Sequence, residues 1–364
     1  MGRMKHVLFY TDTPNLGGAE KHMLLLAKYL TQKGISVSLA YGSYSKISKL
    51  HDEFAKYCKQ IFVLNTIHKH DPRYYSQLKQ ILSKHKFDLI HLHLWNPGSC
   101  RYAFFAPSSS KLPIITTEHD PFELSGMKKL IKKFCLKKTM RTIVISSDNY
   151  RLLDDYYNMP KERLELVHNG IEIDKFLDNH DKADLPVQKG DIVITCIAEL
   201  HHRKGHRYLL SAFIKLQAHV PQLHLILVGT GPADRELRDQ YSQVPHVHFL
   251  GWREDIPQIL KVSDIFVLSS LKEAFGQVIL EAMASGVITV ATNNGGIIDI
   301  IKDGVTGYLV PPSSSQAIAD KITIILKNPD QQKDIEKAAL ASVKTNFTAE
   351  KMADKTLAVY QKVW

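Results

Sequence analysis

The sequence predicts an α/β protein built from two open, parallel, doubly wound sheets, and three observations carry that expectation. Short apolar runs alternate with longer segments of helical spacing in the first half. The same alternation restarts after a polar stretch around Asp178–Gly190. Each half opens with the same order of strand, glycine turn and helix, at Gly17-Gly18 in one and Gly205 in the other. Two Rossmann-like domains follow from this.

Element by element, His6–Tyr10 reads as the first strand. Gly17-Gly18 opens a helix with apolar Leu24, Leu25, Ala27 and Leu30, which ends near Gly34. Ser36–Ala40, Gln60–Leu64, Leu89–Leu94, Ile114–Thr117 and Thr142–Ser146 read as further strands. In the second half the strands are Ile192–Ala198, Leu223–Gly229, His246–Leu250, Ile265–Ser269, Thr289–Ala291 and Tyr308–Leu309. The tail, Ala349–Trp364, reads as an amphipathic helix with Met352, Val359, Tyr360 and Val363 on one face. The expected domains are residues 1–175 and 176–345, with 346–364 crossing back to the first.

Composition narrows the function. The chain has 364 residues and a net charge of +10. Residues 1–141 hold 23 Lys+Arg against 9 Asp+Glu, a net +14, and the remainder carries −4. The basic half therefore expects an anionic partner: a membrane surface, nucleic acid or a phosphorylated substrate. No apolar run reaches the length of a membrane span. The short apolar start runs straight into Thr11-Asp12, so it reads as a strand and not a signal peptide. Four scattered cysteines, with no Cys-x-x-Cys, point to a reducing, cytoplasmic setting without disulfides.

Chemistry concentrates in Glu273-Ala-Phe-Gly-Gln-Val-Ile-Leu-Glu281. Glu273 falls in the loop after a strand and Glu281 inside the following helix. Between them lies a helix N-terminus whose free N–H groups suit phosphate or sugar oxygens. Ionised carboxylates suit paired sugar hydroxyls. Taken alone, a glutamate stabilised near a helix N-terminus is an equal reading. Downstream come Ala284-Ser-Gly286, Asn293-Asn-Gly-Gly296 and Asp303-Gly-Val-Thr-Gly-Tyr-Leu-Val-Pro-Pro312; upstream lie Val228-Gly-Thr-Gly-Pro232 and Asn169-Gly-Ile-Glu-Ile-Asp-Lys-Phe176.

With these segments the chain resembles the family-4 glycosyltransferases of the GT-B fold, over nearly its whole length. The match is most specific over residues 192–312 and looser over 40–140. The resemblance implies two Rossmann-like domains facing a cleft, and retaining, metal-independent transfer of a hexosyl group. The donor would be a UDP- or GDP-sugar and the acceptor a glycan, free or lipid-linked, in cell-surface polysaccharide or glycolipid synthesis. It implies that Lys204 meets the donor diphosphate, that Glu273 holds sugar hydroxyls and that Glu281 holds the ribose diol. Arg203, Gly229, Gly251 and the stretch Phe275, Gly276, Gln277, Val278 would line the nucleotide sugar, and Gly17 and Gly18 would approach its diphosphate. His119, in Thr117-Glu-His-Asp120, resembles the family histidine facing the sugar, with His93 lining the acceptor side. One departure stands out: Glu199 occupies the place of an arginine that commonly meets the diphosphate, with Arg203, His201 or His202 as candidates to compensate. A sugar-nucleotide epimerase on the same fold and an inactive sugar-nucleotide-binding protein remain alternatives.

His91 and His93 alternate on one strand, which makes a zinc site conceivable, but with no third ligand nearby metal-free cleft lining by His93 is favoured, and no Asp-x-Asp suggests a metal-bound diphosphate. No metal or other cofactor is expected. Ser146-Ser147-Asp148 reads as a helix cap. Residues 127–138 carry six lysines, with Met127, Leu130, Ile131, Phe134 and Cys135 on one helix face. This segment reads either as a helix resting on an anionic membrane or as a core-packed helix with a solvated basic face. The first would make the protein peripheral on the cytoplasmic side of a membrane. No nucleic-acid-binding fold accompanies it.

Overall fold

A computed structural model of the chain describes residues 4–109, 112–177 and 181–364. The polar stretch that begins at Asp178 therefore lies partly outside the described residues. The chain divides into two compact units. Unit 1 is Met1–Gly170 with Ala349–Trp364, and unit 2 is Ile171–Thr348.

Among the described residues, unit 1 carries a seven-stranded sheet. Its strands are β1 (His6–Thr11), β2 (Ser36–Gly42), β3 (Cys58–Leu64), β4 (Leu89–Leu94), β5 (Ile114–Glu118), β6 (Arg141–Val144) and β7 (Leu164–Leu166). Their spatial order is β3-β2-β1-β4-β5-β6-β7, and every pairing is parallel. Unit 2 carries β8 (Ile192–Ile197), β9 (Leu223–Val228), β10 (Val247–Gly251), β11 (Ile265–Leu268), β12 (Ile288–Thr292) and β13 (Tyr308–Val310) in the order β10-β9-β8-β11-β12-β13, again all parallel. In each sheet the strand order reverses beside the first strand, between β1 and β4 and between β8 and β11. Ligands of open α/β sheets bind at the carboxyl ends of the strands flanking such a reversal.

Both faces of each sheet are covered, so the strands are apolar on both sides. On β1, Val7 and Phe9 enter one core, together with Met23, Leu26 and Leu30 of helix Gly18–Gln32. Leu8 and Tyr10 enter the opposite core. Met352, Val359 and Tyr360 of helix Ala349–Gln361 join the first core, where the tail belongs to unit 1. The hydroxyl of buried Tyr360 meets His91 Nδ1 at 2.6 Å, and His91 Nε2 meets the Thr117 hydroxyl at 2.8 Å. These contacts tie the tail helix to β4 and β5.

The strand missing from the sequence expectation is β7. Its three residues are too few to establish a period, and it forms because β6 offers an unpaired edge.

Candidate functional site

In unit 2 the site grows out of the β8–β11 neighbourhood. The segment after β8 carries Lys204 and the segment after β11 carries Glu273. The Lys204 ammonium donates to Glu273 Oε2 at 2.6 Å, and both side chains are largely buried, each 13% exposed. The Ser270 hydroxyl donates to the same oxygen at 3.1 Å. Burial pushes the Glu273 carboxyl up, but the Lys204 charge and hydrogen bond, the Ser270 bond and the Arg203 charge outweigh it and hold it below its ordinary range.

Backbone contacts lock the two segments together. Leu271 N–H donates to the Arg203 carbonyl at 2.7 Å, and the Ser269 hydroxyl to the Lys204 carbonyl at 3.2 Å. Two glycines make this approach sterically accessible. At Gly205 (φ +66°) a Cβ would lie 2.1 Å from the Ser269 carbonyl oxygen. At Gly295 (φ +52°) it would lie 1.9 Å from the Glu273 carbonyl oxygen. Gly296 N–H donates to that same Glu273 oxygen, and the Asn294 amide donates to the Ser270 carbonyl at 2.6 Å. The Gly-Gly loop is thus the support on which Glu273 rests.

Gly276 caps helix Gln277–Ala284; Phe275 before it is buried, Gln277 and Val278 sit half-buried in its first turn, and Glu281 lies one turn further on. Gly229 N–H donates to the Gly251 carbonyl at 2.8 Å, which joins the ends of β9 and β10. Glu199 is half-exposed and lies 3.9 Å from Arg203, also partly exposed. The substituted acid therefore has a local countercharge, in a surface pair of small energetic weight.

In unit 1 the carboxyl edge of the sheet gathers histidines. His93 on β4 and His119 just past β5 stack with ring centroids 5.5 Å apart, and His93 Nδ1 meets His119 Nε2 at 3.3 Å. His22, one turn into helix Gly18–Gln32, approaches His119 at 4.8 Å between centroids. Its Nδ1 donates to Asn169 Oδ1 at 2.9 Å, so its buried Nε2 keeps a bare lone pair, unpartnered among the described residues. Burial holds His22 down at about 4, and burial with neighbouring imidazoles holds His93 and His119 well below the ordinary value. All three are neutral at pH 7. Their ligand atoms lie within 4.8 Å of one another, and neutral imidazoles at such spacing are a donor set suited to a zinc-like ion. The sequence expectation of no third ligand near His93 is corrected here: His22 and His119 come to it through the fold. His91, the partner weighed from sequence, is taken up by Tyr360 and Thr117.

At the start of the same helix, Gly17 is the cap and Gly18 the first residue. The buried Glu20 reaches back to the Gly17 N–H at 2.7 Å. Past β1, buried Asp12 accepts from the Trp95 indole at 3.0 Å and from Cys100 N–H at 2.7 Å. Burial pushes Asp12 up to about 6 despite these donors.

Comparison with known proteins agrees with this geometry. Residues 16–175 match the family model described as Glycosyltransferase Family 4, and residues 178–341 match Glycosyl transferases group 1. The chain belongs to the family-4 glycosyltransferases of the GT-B fold. It is similar to N-acetyl-alpha-D-glucosaminyl L-malate synthase of Bacillus anthracis, 24% identical over 99% of this chain and 98% of the relative. It also resembles the UDP-Gal:alpha-D-GlcNAc-diphosphoundecaprenol alpha-1,3-galactosyltransferase of Escherichia coli, at 27% identity over 64% of this chain and 65% of that one. Among solved structures, Anabaena HepE in complex with UDP and glucose superposes with a TM-score of 0.81 at 21% identity, covering 99% of this chain and 100% of that one.

In this glycosyltransferase the basic segment folds as helix Gly126–Leu136, and most of the apolar face that the core-packed reading would bury lies outward. Lys132, Cys135 and Leu136 are buried, whereas Met127, Leu130 and Phe134 are exposed at 70%, 61% and 55%, and Ile131 is exposed too. The reason is Glu118 at the end of β5, fully buried, whose carboxylate bonds the Lys132 ammonium. A buried carboxylate needs a cation, and the requirement rotates the helix. No described helix is long and apolar enough to cross a membrane.

Sequence reasoning missed His22 and its contact with Asn169, and it missed Asp12 and His206. The last follows Lys204-Gly205, is buried with neither ring nitrogen hydrogen-bonded among the described residues, and is held at about 4 by burial and the Lys204 charge. His22 had one available signal: it falls on the buried side of its helix, where a polar residue needs a partner.

The histidines set a pH dependence. The folded His22 takes up its proton only near 4, while the unfolded side chain does so near 6.5. The stability from a neutral, buried His22 is therefore complete above 6.5 and is lost as pH falls to 4, a loss of about 3 kcal/mol. Asp12, raised to about 6, works in the opposite sense, gaining stability as pH falls through that value. Urea denaturation of wild type and His22→Gln from pH 7 to 4 should separate the two, with a flatter loss in the variant. Identical slopes would remove His22 from this account.

Proposed function

We propose that this glycosyltransferase moves a hexosyl group, with retention of configuration, from a nucleoside-diphosphate sugar held by unit 2 to a glycan or lipid-linked acceptor held by unit 1. The observation that carries this reading is the Lys204–Glu273 pair, set at the carboxyl edge of β8 and β11 and followed by the N-terminus of helix Gln277–Ala284. An ammonium and free helix N–H groups answer the growing negative charge on a departing diphosphate. Glu273, kept ionised by Lys204, accepts from sugar hydroxyls, and Glu281 accepts from the ribose diol. In unit 1, neutral His119 meets sugar hydroxyls and His93 the acceptor side.

The reaction we assign is front-face attack by an acceptor hydroxyl. The bond from the anomeric carbon to the phosphate oxygen breaks, the bond to the acceptor oxygen forms, and the hydroxyl proton passes to the departing phosphate. Glu273 and Glu281 bind and orient in this scheme. The UDP found in HepE and the UDP-galactose named for the E. coli relative support a UDP-sugar as donor. The diphosphate is neutralised by Lys204 and backbone, with no metal.

The exposed apolar face of the basic helix supports a membrane-facing role for unit 1. Exposed Met127, Leu130, Ile131 and Phe134 among lysines combine insertion of apolar side chains with attraction to anionic headgroups. The E. coli relative, which by its name acts on a diphosphoundecaprenol acceptor, points the same way.

Lys204→Ala should lower kcat by about 10²-fold or more and donor affinity much less, in steady-state transfer assays. Parallel losses in both would reduce Lys204 to a binding group. A thermal-shift panel of UDP, GDP, ADP and their sugar conjugates in EDTA should raise Tm with one nucleotide series, and EDTA should leave transfer intact. Activity lost in EDTA and restored by Zn²⁺ would instead assign a metal to His22, His93 and His119. Sedimentation with phosphatidylglycerol-containing vesicles should fall about fivefold for each of K128Q and K129Q, and further in L130S/F134S. Unchanged sedimentation would leave a solvated helix.

A further inference from the structure

Unit 1 also contains a cavity of about 290 Å³ that no step above uses. It opens at the carboxyl ends of β4 and β5, between the loop Asn96–Arg101, the segment Phe122–Leu124 and the inner side of helix Gly126–Leu136. Its size is at the lower end of the ~300–1,000 Å³ typical of small-ligand sites.

Its lining combines basic and apolar side chains. Lys69, Arg101 and Lys128 line it, and no carboxylate does. Among the described residues none of these three cations has an ion-pair partner. Lys132, also in the wall, is already neutralised by Glu118. Arg101 Nε is buried with no hydrogen-bond partner among the described residues. A guanidinium with an unmet buried N–H, in a wall of like charges, is costly unless an anion completes it. His70, also in the lining, is held below its ordinary value by burial and by the Arg101 and Lys69 charges, as expected where positive potential is uncompensated. Phe104, Phe122, Leu124 and Ile131 supply the apolar part of the lining.

The loop is built to keep Arg101 there. Asp12 clasps it from below through Trp95 and the Cys100 N–H, and Cys100 sits in the left-handed region at φ 56°. Such a conformation persists only where surrounding contacts impose it. Lys69 is placed by the Trp95 ring, 4.8 Å beneath its ammonium.

We propose that this cavity is a phosphate site for the acceptor: Arg101, Lys69 and Lys128 hold the phosphoryl group of a phosphate ester, and Phe104, Phe122 and Ile131 cover the apolar chain attached to it. The inference rests on unit 1 being the acceptor-binding unit. Ile131 lines the cavity from the same helix that exposes Leu130 and Phe134, so the apolar wall is continuous with the surface we assign to the membrane.

Binding of geranyl phosphate, geraniol and inorganic phosphate to the full chain, by calorimetry without donor, tests this. Geranyl phosphate should bind at least about tenfold more tightly than geraniol, and R101Q and K128Q should each loosen it about fivefold or more. Inorganic phosphate competing as well as geranyl phosphate would keep the anion site and overturn the apolar-chain half of the proposal; a requirement for the chain supports both halves. Equal affinity for phosphate and alcohol, or unchanged affinity in both variants, overturns the proposal. The UDP thermal shift, read on the same variants, reports unit 2 and the fold separately. Absence of a geranyl phosphate preference in the wild-type chain, with its UDP shift intact, refutes the cavity alone. The reverse result leaves the cavity standing and refutes the donor reading.

Discussion

A lysine ammonium and a glutamate carboxylate, 2.6 Å apart and nearly shut off from solvent, set the geometry of the candidate donor site. Neither charge is stable at that depth alone. They meet because parallel pairing puts β8 next to β11, so that two segments about seventy residues apart in the chain leave the sheet side by side. Glycine at 205 and 295 then lets the flanking backbones approach to a distance that any side chain would prevent. What looks in the sequence like a set of separate glycine and acidic motifs is one support structure around a single ion pair.

Unit 1 follows the same rule with other residues. The Glu118 carboxylate is buried at the end of β5, and the Lys132 ammonium is drawn inward to meet it. That one contact decides which side of helix Gly126–Leu136 faces the protein. It leaves four large apolar side chains outside and closes one wall of the cavity. Asp12 does comparable work at the end of β1, holding the 95–101 loop through the Trp95 indole and the Cys100 amide. Buried carboxylates at strand ends thus organise both the surface and the interior of this unit, and each has specific donors to offset its burial.

Lys204, Glu273 and Glu281 were legible because their motifs are local: a strand, a glycine turn and a helix start lie within a few residues of each. His119 and His93 were legible from their places at strand ends. The pairing of His22 with Asn169 was not, because it spans 147 residues; Asn169 stands in a recognised segment, but His22 stands in none. The basic helix was read with the right period, but which face it buries was left open. Apolar periodicity finds the stripe without saying what covers it, and it carries no information about a carboxylate waiting on another strand.

The sequence by itself determined the fold class, the alternation of strands and helices, twelve of the thirteen described strands, the tail helix and the residues of the candidate donor motif. Those follow from periodicity and turn chemistry, which act over a few residues. Only the tertiary structure decided which distant charges share a partner, which imidazoles cluster, which way the basic helix turns and where a cavity with unpaired cations opens. These depend on strand adjacency and on the cost of burying a charge alone, and both quantities exist only once the sheet has formed.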